Sequence, residues 1–331
     1  MTRRSKAGSR ASSPPKTKAE ATLPSLLESI GRTPLVPLRR IPRRGAPVWV
    51  KCEHLNPGGS IKDRIAVSIV DDARRRGVLR PGATLVEATA GNTGIGLAMV
   101  AAAHGYDLCC VMPQKMSDDK RRALELMGAR VMITDDAPPS DPRNFQNVAR
   151  RLALEHGWFL TDQFENPANV AAHQHGTGPE ILEQTDGRVA AFVAGAGTGG
   201  TLTGVGRCFA AHGCSARIVL ADPTGSALAQ WVRTGVLGED GSYRVEGIGG
   251  SVPAKNLDRS VIHEAETVSD EETFAMARRL IREEGLRVGG SAGTAVVAAL
   301  RVAERIGGDD PVVAVLPDAM DRYVGQPWLA Q

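Results

Sequence analysis

Asn56-Pro57-Gly58-Gly59-Ser60-Ile61-Lys62-Asp63-Arg64 is the stretch on which the reading of this chain turns. Pro57 and two glycines make a tight turn, and Ser60 and Asp63 stand at the spacing of a capping box, so a helix is predicted to start here. Ile61, Ile65 and Ile69 give that helix a buried stripe at i, i+4 and i+8, and Gly77 ends it, predicting a helix over 61–76. Lys62 then falls in the first turn. A cation is misplaced at a helix N-terminus, whose partial positive charge favours the neutral amine. A free amine is what attacks an aldehyde to form a Schiff base. A surface lysine after a loop is the alternative, and this segment alone leaves both open.

Outward from Lys62 the chain repeats strand, turn and helix. Short apolar strands are predicted at 48–50, 84–87, 108–112, 130–134, 158–161, 190–194, 216–221 and 312–316. Helices are predicted at 95–104, 118–127 and 270–284, each stopped by a glycine. Such alternation reads as βαβ units around parallel sheet. The site is expected in a cleft between two α/β layers, where strand C-termini and helix N-termini meet.

Three further glycine-rich turns carry chemistry. Glu87-Ala88-Thr89-Ala90-Gly91-Asn92-Thr93-Gly94 leads from a strand into a helix, and its amides make a seat for a carboxylate or phosphate. A turn whose glycines serve packing alone is the other reading. Gly195-Ala196-Gly197-Thr198-Gly199-Gly200-Thr201 satisfies G-x-G-x-x-G, with Asp222 about twenty residues on, as in a dinucleotide fingerprint. A phosphate cradle reinforced by Thr198 and Thr201 is the rival, and the loop alone does not separate the two. Gly289-Gly290-Ser291-Ala292-Gly293 opens an apolar helix over 294–303, which Ser291 is expected to cap.

Composition narrows the classes. The 331 residues suffice for two domains and a core without staples, and 42% apolar with 23% charged residues excludes a wholly disordered chain. Five cysteines, none in a C-x-x-C pair, indicate neither a disulfide framework nor a zinc site. No apolar run reaches the roughly 18 residues of a spanning helix, and no signal peptide is evident, so a cytoplasmic location and no membrane partner are expected. The net charge of +3 comes from residues 1–20, which carry +5; the remainder therefore carries −2 (+3 less +5). Nucleic-acid binding is not expected of such a body. The basic tail, residues 1–22, is expected to be disordered.

Taken together and in order, these segments resemble the pyridoxal-phosphate enzymes of the cysteine synthase and cystathionine β-synthase family. The likeness runs from about residue 23 to 323. It includes Gly31-Arg32-Thr33-Pro34-Leu35, the Lys62 segment, Gly91-Asn92-Thr93-Gly94, Lys115-Met116-Ser117, Asn166-Pro167-Ala168-Asn169, Gly197 to Thr201, Glu246-Gly247-Ile248-Gly249, Gly289 to Gly293 and Leu316-Pro317-Asp318. So many ordered matches set the dinucleotide reading aside. The resemblance implies an α/β fold of two three-layer αβα domains with mostly parallel twisted sheets, like the tryptophan synthase β chain. It implies an N-terminal domain over 56–166, with a mobile part at about 91–138, and a C-terminal domain from 23–55 plus 167–331.

The resemblance also implies roles. Lys62 would hold pyridoxal 5'-phosphate as an aldimine and shuttle the substrate α-proton. Asn92 would bond the ring hydroxyl, Gly197, Thr198, Gly199, Gly200 and Thr201 the phosphate, and Ser291 would face the pyridine nitrogen. A hydroxyl there, rather than a carboxylate, biases the cofactor toward expelling a β-substituent. Thr89, Ala90, Thr93 and Gln163 would grip the substrate carboxylate, with Gly247 beside it. The implied reaction is β-replacement: L-serine or O-acetyl-L-serine loses its β-substituent, leaving an aminoacrylate to which a thiol adds.

Homocysteine as the thiol is the cystathionine-synthase-like reading, sulfide the cysteine-synthase alternative, and hydrolysis to pyruvate a further one. Ala90 stands where most members have Ser, and Gly250-Ser251 replaces an aromatic that cystathionine synthases often place after Gly249. Neither haem nor metal is expected, nor control by haem or adenosyl ligands; a homodimer is.

Overall fold

The computed structural model describes residues 25–330 apart from 43, 90 and 139. The basic tail and Ala90, singled out above, lie outside the described residues.

Among the described residues, ten strands form two sheets. The smaller takes β3 (Thr84–Ala88), β4 (Asp107–Pro113), β5 (Arg130–Thr134) and β6 (Phe159–Leu160) in the order β5-β4-β3-β6, all parallel. The larger takes β1 (Leu35–Pro37), β2 (Val48–Lys51), β7 (Ala191–Ala194), β8 (Arg217–Pro223), β9 (Glu264–Val268) and β10 (Val312–Val315) in the order β1-β2-β10-β7-β8-β9. Only β1 runs antiparallel, as an edge strand that ends in Pro37.

Alternation along the strands explains the layering. Val312 and Ala314 face one core with Ala191 and Val193, under α9 (Asp270–Glu284) and α10 (Gly290–Ile306). Val313 and Val315 face the other with Phe192 and Ala194, under α6 (Gly178–Gln184), α7 (Gly200–Ala211) and α8 (Leu228–Thr234). The smaller sheet is covered likewise. Leu85, Leu108 and Cys110 meet α1 (Lys62–Arg75), α2 (Asn92–His104) and α3 (Asp118–Leu126), while Val86, Cys109 and Val111 meet α4 (Phe145–His156). The short α5 (Pro167–Ala172) and a π-turn at His173–Thr177 lead into α6. This is the expected pair of three-layer αβα sandwiches. Strands buried on both faces read as continuous apolar runs, which is why most were legible.

Helix α1 lies at the seam. Ile61, just before it, packs with the larger unit's core, whereas Ala66, Val70 and Ala73 pack with the smaller's. Two details differ from expectation. The N-cap is Ile61 without a side-chain cap, and no capping box forms: Ser60 Oγ accepts from Lys62 N at 3.2 Å, while Asp63 Oδ2 reaches past Ser60 to Gly58 N at 2.6 Å. Helix α10 starts at Gly290 with Gly289 as N-cap, so Ser291 lies inside the first turn and caps nothing. No helix among the described residues is long and apolar enough to cross a membrane.

Candidate active site

Lys62 owes its position to backbone pairing on one side and charge on the other. The loop before it is stitched to the end of β10: Ile61 N donates to Pro317 O at 2.8 Å and Ala319 N to Gly59 O at 3.0 Å. Arg64, two residues further, is buried between Glu53 (2.7 Å) and Glu180 (2.7 Å), and Glu180 also takes Lys51 Nζ at 2.7 Å. Burial alone would raise the Glu180 carboxyl; Arg64 and Lys51 instead hold it at about 2. The first turn of α1 is thus held on both flanks.

The Lys62 amine itself projects into a cleft of about 1300 Å³ between the two units. Burial pushes it below its ordinary value, and the nearby Asp318 carboxylate partly restores it. Its Nζ has no hydrogen-bond partner among the described residues. The buried Asp318 takes Tyr323 O–H (2.7 Å) and Asn92 Nδ2 (2.8 Å) on one oxygen and leaves the other without a partner. Arg322 donates to Asn92 Oδ1 and to Gly58 O.

Opposite Lys62 lies the turn Gly197–Gly200 ahead of α7. Gly199 has φ +82°, and a Cβ there would stand 2.5 Å from Leu257 Cβ; a Cβ on Gly197 would stand 2.4 Å from Gly247 O. Only glycine fits either position, and the amides face a concavity at a helix N-terminus. Thr198 Oγ1 accepts from Asn169 Nδ2 at 2.9 Å, which leaves its own proton free for the cleft. Thr201 Oγ1 is 3.3 Å from Nε2 of His173, and burial beside Arg64 and Lys62 drives that imidazole well below its ordinary value, hence neutral. Gly200 opens α7 behind them. Ser291 lines the cleft from α10, its hydroxyl without a hydrogen-bond partner among the described residues, and Gly247 lines it at φ +82°.

The third wall is the start of α2. Asn92 and Thr93 belong to its first turn, three residues earlier than predicted. Thr93 Oγ1 donates to Gln163 Oε1 at 2.6 Å, and Thr89 lines the cleft beside them. Thus Lys62, Thr89, Asn92, Thr93, Gln163, Gly197, Thr198, Gly199, Thr201, Gly247 and Ser291 share one cleft.

A family model for pyridoxal-phosphate-dependent enzymes matches residues 26–318. The chain belongs to that family. Within it, the chain is 43% identical over 307 residues to a cystathionine beta-synthase of Apis mellifera, covering 91% of this chain and 60% of that one. It is 40% identical over 312 residues to a cysteine synthase of Staphylococcus aureus, covering 93% and 98%. The chain therefore spans about 60% of the length of the first of these relatives and nearly all of the second. A crystal structure of O-ureido-L-serine synthase superposes with a TM-score of 0.85 at 39% identity, covering 93% of this chain and 95% of that one. Within the pyridoxal-phosphate-dependent enzymes the chain is thus similar to cystathionine synthases and cysteine synthases alike.

The residues present fit the family's cofactor. A buried amine with no bond of its own suits an aldehyde, and a glycine cradle that a Cβ would fill suits a phosphate. Among the described residues no group of three or more His, Cys, Asp or Glu could hold a metal ion.

Sequence reasoning missed five participants. Asp318 was quoted as part of Leu316-Pro317-Asp318 without a role; Arg322 and Tyr323, a turn further on, gave no periodic signal. Lys120 of α3 forms an ion pair with Glu246 across the cleft, and neither was assigned chemistry. A basic and an acidic residue 126 positions apart are not legible as partners before the fold is known.

Proposed function

We propose that this protein joins L-serine or O-acetyl-L-serine to homocysteine by β-replacement. The class follows from the family; the thiol is carried by one observation, the Lys120–Glu246 pair at the cleft wall. A thiol that is itself an amino acid brings a carboxylate and an ammonium into the cleft. Desolvating them is costly unless each meets an opposite charge. Lys120 would take the carboxylate and Glu246 the ammonium, exchanging their mutual ion pair for two with the substrate. Sulfide has no use for either.

Bound pyridoxal phosphate supplies the electron sink that makes the α-proton acidic and lets the β-substituent leave. The remaining work is assigned to the chain. Lys62 Nζ would hold the cofactor and would take and return the substrate α-proton. Gly197, Thr198, Gly199, Gly200 and Thr201 bind the phosphate. Asn92, fixed by Asp318 and Arg322, orients the ring through its remaining amide hydrogen. Ser291 offers a neutral hydroxyl to the ring nitrogen. Thr89, Thr93 and Gln163 bind the substrate carboxylate, with Gly247 alongside.

The cysteine-synthase reading has support of its own in the near full-length match to that enzyme. A matrix of L-serine and O-acetyl-L-serine against homocysteine and sulfide, with products identified by mass, separates the two. In Glu246→Gln the kcat/KM for homocysteine should fall about tenfold, the scale of one charge-assisted hydrogen bond, with that for sulfide unchanged. Equal losses with both thiols would exclude the assignment of Glu246 to the second substrate.

A further inference from the structure

One buried carboxylate beside the site has no part in this chemistry. Glu87 is the penultimate residue of β3, with 1% of its surface exposed, just before the turn that carries Thr89 and leads to Thr93 at the start of α2. Its Oε1 accepts from Ala88 N at 2.9 Å and its Oε2 from Gln163 N at 3.1 Å and from the Thr161 hydroxyl. No lysine, arginine or histidine among the described residues donates to it. Among the neighbouring elements, β4 sets Cys110 opposite it and β6 contributes nothing titratable. Asp162, just after β6, is itself acidic and pushes Glu87 upward, with Arg150 of α4 3.8 Å from Asp162. α4 carries Arg151, Glu155 and His156 further on, α2 has no titratable group before His104 at its far end, and from α1 Lys62 lines the same cleft.

Thr161 lets the site hold either protonation state of this carboxylate. Thr161 Oγ1 stands 3.2 Å from Val86 O and within bonding distance of Glu87 Oε2. A hydroxyl has one proton and cannot donate to both acceptors. With Glu87 ionised the threonine proton goes to Oε2 and Val86 O keeps Thr161 N at 3.1 Å; with Glu87 protonated its own O–H donates to Thr161 Oγ1 and the threonine proton turns to Val86 O. The cluster is therefore satisfied in both states, as a group that exchanges a proton requires. The same cluster leads to the substrate seat, because Glu87 holds the Gln163 backbone and Gln163 Oε1 holds Thr93 Oγ1 at 2.6 Å.

We propose that Glu87 is a proton-linked positioning residue: seating the substrate α-carboxylate on Thr89, Thr93 and Gln163 draws one proton from solvent onto the Glu87 carboxylate. This rests on the carboxylate seat assigned above. An ionised Glu87 places a second negative charge, with no counter-cation, just behind a loop that must hold an anion. A protonated one removes the repulsion while Gln163 N keeps its acceptor. Burial lifts Glu87 to about 7, so the proton is exchanged near neutrality. A bound anion raises that value further, so affinity falls as pH rises above it, by up to tenfold per pH unit.

The test uses holoenzyme and L-serine, with binding followed by the change in the bound cofactor's visible absorption between about pH 6.5 and 8.5. Ionisation of the serine amine affects every variant equally. In Glu87→Gln, whose amide copies the neutral acid, Kd should rise less steeply with pH than in the wild type. The difference should approach tenfold per unit, with the variant binding more tightly at the alkaline end. Parallel profiles overturn the proposal. If the variant does not fold, infrared difference spectra of the wild type decide: L-serine should increase protonated-carboxyl absorption at pH 7.5, and no increase overturns it. A wild type whose spectrum ignores L-serine at every pH would instead remove the carboxylate-seat reading, and this inference with it.

Discussion

Lys51 and Lys62 are both driven toward the neutral amine by burial, yet the fold completes only one of them. Lys51 Nζ donates to Thr33 O (2.7 Å), Glu180 Oε2 (2.7 Å) and Gln184 Oε1 (2.9 Å), so each of its three protons has an acceptor. Lys62 Nζ has no such acceptor, only the charge of Asp318 nearby and an open cleft in front. A filled set of hydrogen bonds makes a buried cation part of the architecture. An empty set makes it a reagent. Burial perturbs both lysines; unspent bonding capacity separates them.

The largest test of this contrast is Lys62→Ala. β-Replacement should fall by on the order of a thousandfold or more, since the covalent anchor and the proton carrier are lost together. Thermal stability should be nearly unchanged, because no bond of the fold depends on that amine. Borohydride reduction of the wild type followed by peptide mapping should find the pyridoxyl label at position 62. A label elsewhere would dismantle the site assignment.

Lys51→Met should behave in the opposite way. Glu180 would lose a buried partner, and a loss of about 3 kcal/mol is expected from breaking such a pair. Urea denaturation would show it as a lower midpoint at an unchanged slope. The kcat of the folded fraction should stay within about twofold of wild type. A variant as stable as wild type but inactive would mean that the two lysines had been assigned the wrong way round.

The same contrast explains what the sequence disclosed. Lys62 and the glycine turns were legible because their chemistry is local: helix start, cation and glycines sit within nine consecutive residues. Strands β2 to β8 and β10 were legible as apolar runs. β1 was not, being a three-residue edge strand ending in proline, nor was β9, whose Glu264 and Glu266 interrupt the run where the sheet meets solvent. Short helices such as α5 and α6, each with proline in its first turn, show no sustained period. The partners that tune Lys62 lie far away in the chain. Asn92 meets Asp318 across 226 positions, and Arg322 meets Gly58 across 264. Distances of that kind belong to topology, which local pattern does not encode.

Asp318→Asn makes the finest cut, since it changes the charge facing Lys62 and little else. Tyr323 and Asn92 both donate to the same oxygen, Oδ2, so an amide oxygen placed there retains both bonds. Only the negative charge disappears. That charge raises the proton affinity of Lys62 against the downward push of burial, so without it the amine loses its proton at lower pH. The limb of the kcat–pH profile on which Lys62 must be unprotonated should therefore move down by about one unit, with the plateau within about threefold. Asp318→Ala moves the limb in the same direction but also frees Asn92 and Tyr323, so its plateau should drop further. If Asn and Ala lower the plateau alike and leave the limb in place, Asp318 serves as a bracket for Asn92, and the proton affinity of Lys62 is set by burial alone.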